Sequence, residues 1–166
     1  MSFIANNTVL SNFAGIGRLD ILKRIFRTLR ISEEVWLEIK QGLEAGYSYQ
    51  DKTIRATQGN DAWIKVVMVD DRERPDFVEF SQKLGYGESS SIAIARHRDW
   101  IFLTDDKRAR RLATKKGVSI VGSVGLLKSA VDLEFLELLE ADKLLVKMIR
   151  SGYFSPIESI SDLYSI

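Results

Sequence analysis

The chain contains no cysteine. Disulfides, thiolate nucleophiles and cysteine-type zinc sites therefore lie outside its chemistry. A single histidine, His97, is present, too few for a metal site built on several imidazoles and a poor basis for a Ser-His-Asp hydrolase. No apolar run reaches the roughly 18 residues of a membrane span. The N-terminus lacks the basic, then apolar, then small-residue order of a secretion signal, so the expected location is cytoplasmic. An excess of one charge is missing too: 24 Lys and Arg stand against 23 Asp and Glu. That balance gives no global sign of nucleic-acid binding, although charge can still be segregated onto one face. What remains for chemistry is mainly Asp, Glu, Ser, Thr, Lys and Arg, and hard oxygen ligands suit Mg²⁺ or Mn²⁺ best.

The 166 residues are 45% hydrophobic and 28% charged, the size and make-up of one globular domain, expected to span residues 1–166. Phe3 to Leu10 reads as a first strand with a polar interruption at Asn6-Asn7-Thr8, where the chain turns toward a helix. Leu19, Leu22, Ile25 and Phe26 recur at helical spacing, and Gly17 punctuates the two short helices on either side of it. Ser32 fits an N-cap, with Glu33 and Glu34 in the first turn of a helix to about Gln41. Residues 42–59 are harder to read and leave room for a short helix. Trp63 to Val69 is a β-branched strand, and Pro75 opens a helix. Gly85-Tyr86-Gly87 breaks that helix and Glu88 starts the next. Trp100 to Leu103 is a strand ending in Thr104-Asp105-Asp106, and a basic helix follows that closes at Gly117. Val118 to Val121 is a further strand. Helices follow from about Ser123 and about Leu133, and Ser155-Pro156 opens a last short one. Strands alternating with helices imply an α/β fold with a parallel sheet covered on both faces, and ligand sites beyond the carboxyl ends of its strands.

The Asp105-Asp106 pair is the strongest local signal. Two adjacent carboxylates at a strand end repel each other unless protons or a cation intervene. Two readings stay open: a divalent-metal site, or a helix cap with Thr104 or Asp105 as N-cap and Asp106 in the first turn. Glu88, at the start of its helix, divides in the same way between ligand and favourable dipole placement. Glu38 lies on a helix whose apolar face includes Val35, Trp36 and Ile39; it is either a solvated side chain or a third acid. Lys107, Arg108 and Arg111 belong to a basic helix that directly follows the acidic pair, suited either to phosphate or to solvent. Ser89, Ser90 and Ser91 have no base placed to activate them. Gly15-Ile16-Gly17 lacks the third glycine of a dinucleotide loop. A Rossmann-like phosphatase would need a DxD arrangement near the first strand, which the pair at 105–106 does not supply.

These pieces stand in a recognisable order: Asn6-Asn7-Thr8 through Asn12-Phe13-Ala14, then IGRLDIL, Val35 to Glu38, LGYGESSSIAIA, LTDDKRARRLA and the Gly117-Val118 to Gly122 region. The chain resembles the PIN-domain family, in particular its DUF3368 branch. That likeness implies a three-layer Rossmann-like fold with a mainly parallel sheet and acidic residues converging at the strand ends. It also implies a Mg²⁺- or Mn²⁺-dependent endoribonuclease, many members being toxins of VapC-like toxin–antitoxin pairs. RNA is then the substrate, an antitoxin protein a partner and a homodimer the expected assembly. Carried over, the catalytic acids are Glu38, Glu88 and Asp106; the metal site is Asn6, Glu38, Glu88 and Asp106 with Asp105 alongside; and Lys107, Arg108 and Arg111 hold RNA. Ser89 or Ser90 is the alternative occupant of the Glu88 place. One departure stands out. Asn6 takes the place where PIN nucleases usually carry an Asp, offering a carbonyl oxygen without formal charge. The competing expectation is therefore a non-catalytic PIN-like module that binds RNA or protein.

Overall fold

A computed structural model describes residues 1–165. Five strands form one parallel sheet: β1 (Phe3–Ala5), β2 (Leu29–Ser32), β3 (Ile64–Val67), β4 (Ile101–Leu103) and β5 (Ile120–Val121), in the order β3-β2-β1-β4-β5. The helices among the described residues are α1 (Asn7–Gly15), α2 (Leu19–Phe26), α3 (Glu33–Glu44), α4 (Gln50–Ala56), α5 (Arg74–Phe80), α6 (Tyr86–Arg98), α7 (Lys107–Lys115), α8 (Ser123–Asp132) and α9 (Leu138–Arg150), with a 3₁₀ turn at Ile160–Leu163. The chain builds outward from β1 to β3, then returns to lay β4 on the other side of β1. The order therefore reverses between β1 and β4, and a crevice opens beyond their carboxyl ends.

Strand alternation divides the core in two. Ala5, Leu29, Ile31 and Leu103 face one layer, with Phe13, Leu22, Val35, Ile39, Leu127 and Leu145. Ile4 and Phe102 face the other, with Phe80, Ile92, Ile94, Ala109 and Ala113. Both faces of β1 and β4 are buried, which is why their short segments are continuously apolar. Phe13 and Phe102 are fully buried; truncating either to Ala should cost about 3–5 kcal/mol. No helix among the described residues is long and apolar enough to cross a membrane.

The α/β expectation and the parallel sheet hold, but several boundaries move. The first strand stops at Ala5 rather than Leu10, because Asn6 is extended and caps α1 by accepting from the Thr8 N–H. Strand β2 was not foreseen from the sequence; its LRIS segment mixes charge and polarity and is defined by pairing with β1 and β3. Helix α6 begins at Tyr86 behind the N-cap Gly85, so Glu88 is its third residue rather than its first. The helix expected from Leu133 starts at Leu138, since Glu134 takes a positive φ of 60° and turns the chain. Ser155-Pro156 opens no helix: the last turn starts at Ile160 and is capped by Ser159, while Ser155 Oγ bonds the backbone of Ile157.

Candidate metal centre

The carboxyl ends of β1 and β4 are tied by a network of side chains. Asn6 Nδ2 donates to Thr104 Oγ1 at 2.7 Å, and Asn6 Oδ1 accepts from Thr8 N (3.2 Å) and Thr8 Oγ1 (2.6 Å). Thr8 Oγ1 accepts from the Asp105 N–H at 2.9 Å, and Thr104 Oγ1 from the Asp106 N–H at 3.2 Å. Asn6 is 1% exposed. It lies beneath the site, and both acceptor positions of its oxygen are occupied by Thr8. The network aims Asp105 and Asp106 outward from β4.

The two aspartates then do different things. Asp105 accepts from the Ser123 N–H at 2.8 Å through Oδ1 and from Asn12 Nδ2 at 2.7 Å through Oδ2, which also takes the Ser123 hydroxyl. It fastens β4 to α1 and to the first turn of α8. Asp106, rather than Thr104 or Asp105, is the N-cap of α7: its Oδ1 accepts from the Ala109 N–H at 2.7 Å. Among the described residues no hydrogen bond engages Asp106 Oδ2.

Opposite them stand Glu38 of α3 and Glu88 of α6. Glu38 Oε1 accepts from the Gly87 N–H at 3.1 Å. Burial, first, and the neighbouring charge of Glu88, second, raise the Glu38 carboxyl above its ordinary value; the Gly87 N–H works against both, and Glu34 adds a further small push. Both carboxylates rest on glycine. A Cβ on Gly87 would lie 2.7 Å from each Glu38 oxygen, and one on Gly85 would lie 2.6 Å from Glu88 Oε2. The two glycines of Gly85-Tyr86-Gly87 thus make room for the two acids. Gly122 does the same for Asp105, whose Oδ1 would meet its Cβ at 2.7 Å.

All four acids line one open cavity of about 740 Å³, together with Asn7, Thr8, Asn12 and Lys107. Asn6 does not line it. Lys107 stands at its edge, whereas Arg111 faces a separate groove with Lys83 and Leu84, and Arg108 is bound to the Lys83 carbonyl there. Ser89 and Ser90 are buried, with Ser90 Oγ bonded to Ser32 Oγ at 2.7 Å. Arg110, Asn12, Ser123 and Tyr153 were not among the site residues expected from the sequence, although Asn12 and Arg110 lie in its quoted motifs. Thr8 and Asn12, four apart on α1, carried the one available signal, a polar face at helical spacing. His97 lies far along α6, bonded to Asp76.

Among the described residues none of the four acids makes a salt bridge, and no three acidic or histidine side chains converge tightly enough to enclose a metal on their own. Glu38 and Glu88 form instead an uncompensated pair, with Asp106 across the cavity. Hard, unpaired oxygens in an open site fit a Mg²⁺- or Mn²⁺-type cation, which keeps several waters and needs only one or two protein carboxylates.

A family model for DUF3368, described as a PIN domain, matches residues 2–165. The chain belongs to this PIN-domain family. The solved structure of VapBC2 from Rickettsia felis bound to a DNA fragment from their promoter is similar, at 14% identity and a TM-score of 0.51 over 74% of this chain and 98% of that one. At that identity the likeness speaks for the PIN fold alone. Comparison with curated proteins gives no match.

Proposed function

We propose that this PIN domain, taken as one unit over the whole chain, is a divalent-metal-dependent endoribonuclease. The observation that carries the reading is the cavity at the β1–β4 switch point, which Glu38, Glu88, Asp105 and Asp106 line with no salt bridge to any of them among the described residues. Glu38, Glu88 and Asp106 are the residues that would hold Mg²⁺ or Mn²⁺; a cation there supplies Lewis acidity toward a phosphodiester. The chain's own groups do the rest. Asp105 spends its oxygens on Asn12 and Ser123 and sets the direction of Asp106. Gly87 holds Glu38 Oε1 through its N–H, while Oε2, engaged by no hydrogen bond among the described residues, would serve as a proton acceptor. Lys107 offers an ammonium to the phosphate at the cavity edge, and Arg108 and Arg111 would meet RNA only where it runs on past the opposite side of α7. Asn6 serves as the lock beneath the site.

The test is cleavage of single-stranded RNA with Mn²⁺, comparing wild type with Asp106→Asn. Asn caps helices about as well as Asp, so the variant should fold normally and lose cleavage. Equal activity in both would remove the assignment.

Asn6 in place of an acid favours a second reading, a PIN module that binds RNA or protein without cutting. Calorimetric titration with Mn²⁺ separates the two: no binding at millimolar metal supports the module. The toxin role, with an antitoxin protein as partner, a homodimer as assembly and the cytoplasm as location, follows from family likeness. A small neighbouring reading frame whose product binds and silences the protein is its test.

A further inference from the structure

Next to the acidic cavity is a second one of about 450 Å³. It lies between the start of α8 and the segment Tyr153–Pro156 that leaves α9. Gly152, with φ of 111°, makes the turn that lays this segment across the sheet end. The two cavities are continuous: Asp105, Lys107, Tyr153 and Phe154 line both. The second is walled mainly by apolar groups, among them Val124 and Pro156, with Arg110 at one side. Phe154 stands on the shared rim and is 83% exposed. The Lys107 ammonium lies 5.0 Å from the centroid of its ring. Tyr153 is half-buried beneath, its hydroxyl against Asp105. An exposed ring held in place by a short strap, beside an ammonium and one step from unpaired carboxylates, suits a flat apolar group joined to an anion.

We infer that Phe154 and the cavity it borders form a nucleobase subsite, in which a base of single-stranded RNA next to the scissile phosphate stacks on the Phe154 ring while Lys107 takes its phosphate. The inference rests on the nuclease reading for the phosphate's position. Its recognition chemistry is separate: a π-face accepts any base, so the subsite favours unpaired RNA without selecting sequence.

The experiment uses the full chain, Ca²⁺ in place of Mn²⁺, and two labelled decamers followed by fluorescence anisotropy: a single-stranded oligoribonucleotide and its abasic ribose-phosphate counterpart. Wild type should bind the base-bearing strand about five- to a hundredfold more tightly, the range of a lost base–aromatic stack. Phe154→Ala should bind both strands alike, at the abasic level. Phe154→Trp should keep the preference, and its added indole emission, read against wild type, should be quenched by the base-bearing strand only. Phe154→Ala with an undiminished preference overturns the subsite, whether Phe154 then proves inert or a contact for a protein partner. A wild type that does not distinguish the strands overturns it as well. Failure of the nuclease reading looks different: Mn²⁺-dependent cleavage is absent from wild type while the base preference and the quenching persist.

Discussion

Replacing Gly87 by Ala tests whether the acidic cavity depends on the close approach of Glu38 to the backbone of α6. A Cβ at this position would sit 2.7 Å from both Glu38 oxygens and 2.9 Å from Cδ. No side chain tolerates such distances, so something must move, and what moves is the end of a flexible Glu. The backbone of α6 has no need to give way, because Gly87 is not among the glycines with positive φ. Ala gains roughly 0.5–1 kcal/mol over Gly inside a helix, less in a first turn. Displacing Glu38 gives up its bond from the Gly87 N–H, and hydrogen bonds to charged groups contribute about 1.5–3 kcal/mol. That loss is softened because the carboxylate moves away from burial and from Glu88. The sum is a change of about 1–2 kcal/mol, small enough to leave the fold intact. The proposed metal affinity should fall much further, about ten- to a hundredfold, the usual effect of removing a group that orients a ligand. Thermal unfolding, calorimetric Mn²⁺ titration and RNA cleavage read the three quantities. Gly15→Ala, where nothing lies within 4 Å of the new Cβ, is the control and should leave all three near wild type. A Gly87→Ala protein with wild-type Mn²⁺ affinity would refute the role given to Glu38.

Other substitutions probe different links. Glu38→Gln should stabilise the metal-free protein near neutral pH: the folded carboxyl is raised by burial and by Glu88, so its contribution is present below the ordinary carboxylate value and is lost as pH rises through the raised one. The Tm gain of the variant should therefore shrink on acidification, and a pH-independent gain would contradict the cause assigned here. Asp105→Ala should cost more stability than Asp106→Ala in urea unfolding. The first removes the acceptor of the Ser123 N–H and hydroxyl and leaves Asn12 Nδ2 only its bond to Ser123 Oγ, for about 2–4 kcal/mol; the second removes one helix cap, for about 1 kcal/mol. The reverse order would show that Asp105 is not the fastening residue. Asn6→Asp puts a carboxyl where Asn6 is now 1% exposed, so its folded pKa should rise. Metal-free stability should then fall as pH climbs above the ordinary Asp value, and Mn²⁺ should restore it; unchanged stability from pH 4 to 8 would place the new side chain in solvent.

Much of this arrangement was legible in the sequence because its signals are local. The run ending in Thr104-Asp105-Asp106 reads as a buried strand meeting a helix start, and Ser32 with Glu33 and Glu34 reads as a cap with its first turn. The order of such segments was enough to anticipate the parallel sheet; Glu38, Glu88, Asp105 and Asp106 were grouped only through the family resemblance, and the cavity they line is a property of the fold. Non-local facts were out of reach. Strand β2 exists because Leu29 to Ser32 pair on both sides, and the segment's own composition gives no strong strand pattern. The division of labour between Asp105 and Asp106 depends on Asn12 and Ser123, far away in the chain. The separation of Lys107 from Arg108 and Arg111 depends on which side of α7 each one leaves. The glycines at 85, 87 and 122 look like punctuation in a sequence; only the fold shows that their missing side chains are the space into which carboxylates reach.

Asn6 ties these observations together. Its amide donates to Thr104 through nitrogen while its oxygen accepts twice from Thr8. A carboxylate has no donor, so an Asp here would force the Thr104 hydroxyl to turn and donate, and would add a further negative charge beneath a cavity that already holds four acids. Burial first, and the charge of Glu88 second, already raise Glu38 in that cavity. A neutral residue under the floor lowers the cost of folding without metal, because the chain need not gather a fifth carboxylate in a partly buried place. The same substitution removes one anionic attraction for a cation. On the proposed reading, metal affinity rests on Glu38, Glu88 and Asp106, which stand on three different elements, α3, α6 and the β4–α7 junction. Those elements meet only when the sheet has closed at the β1–β4 switch point, so cation binding should report on the integrity of the whole fold rather than on any one segment.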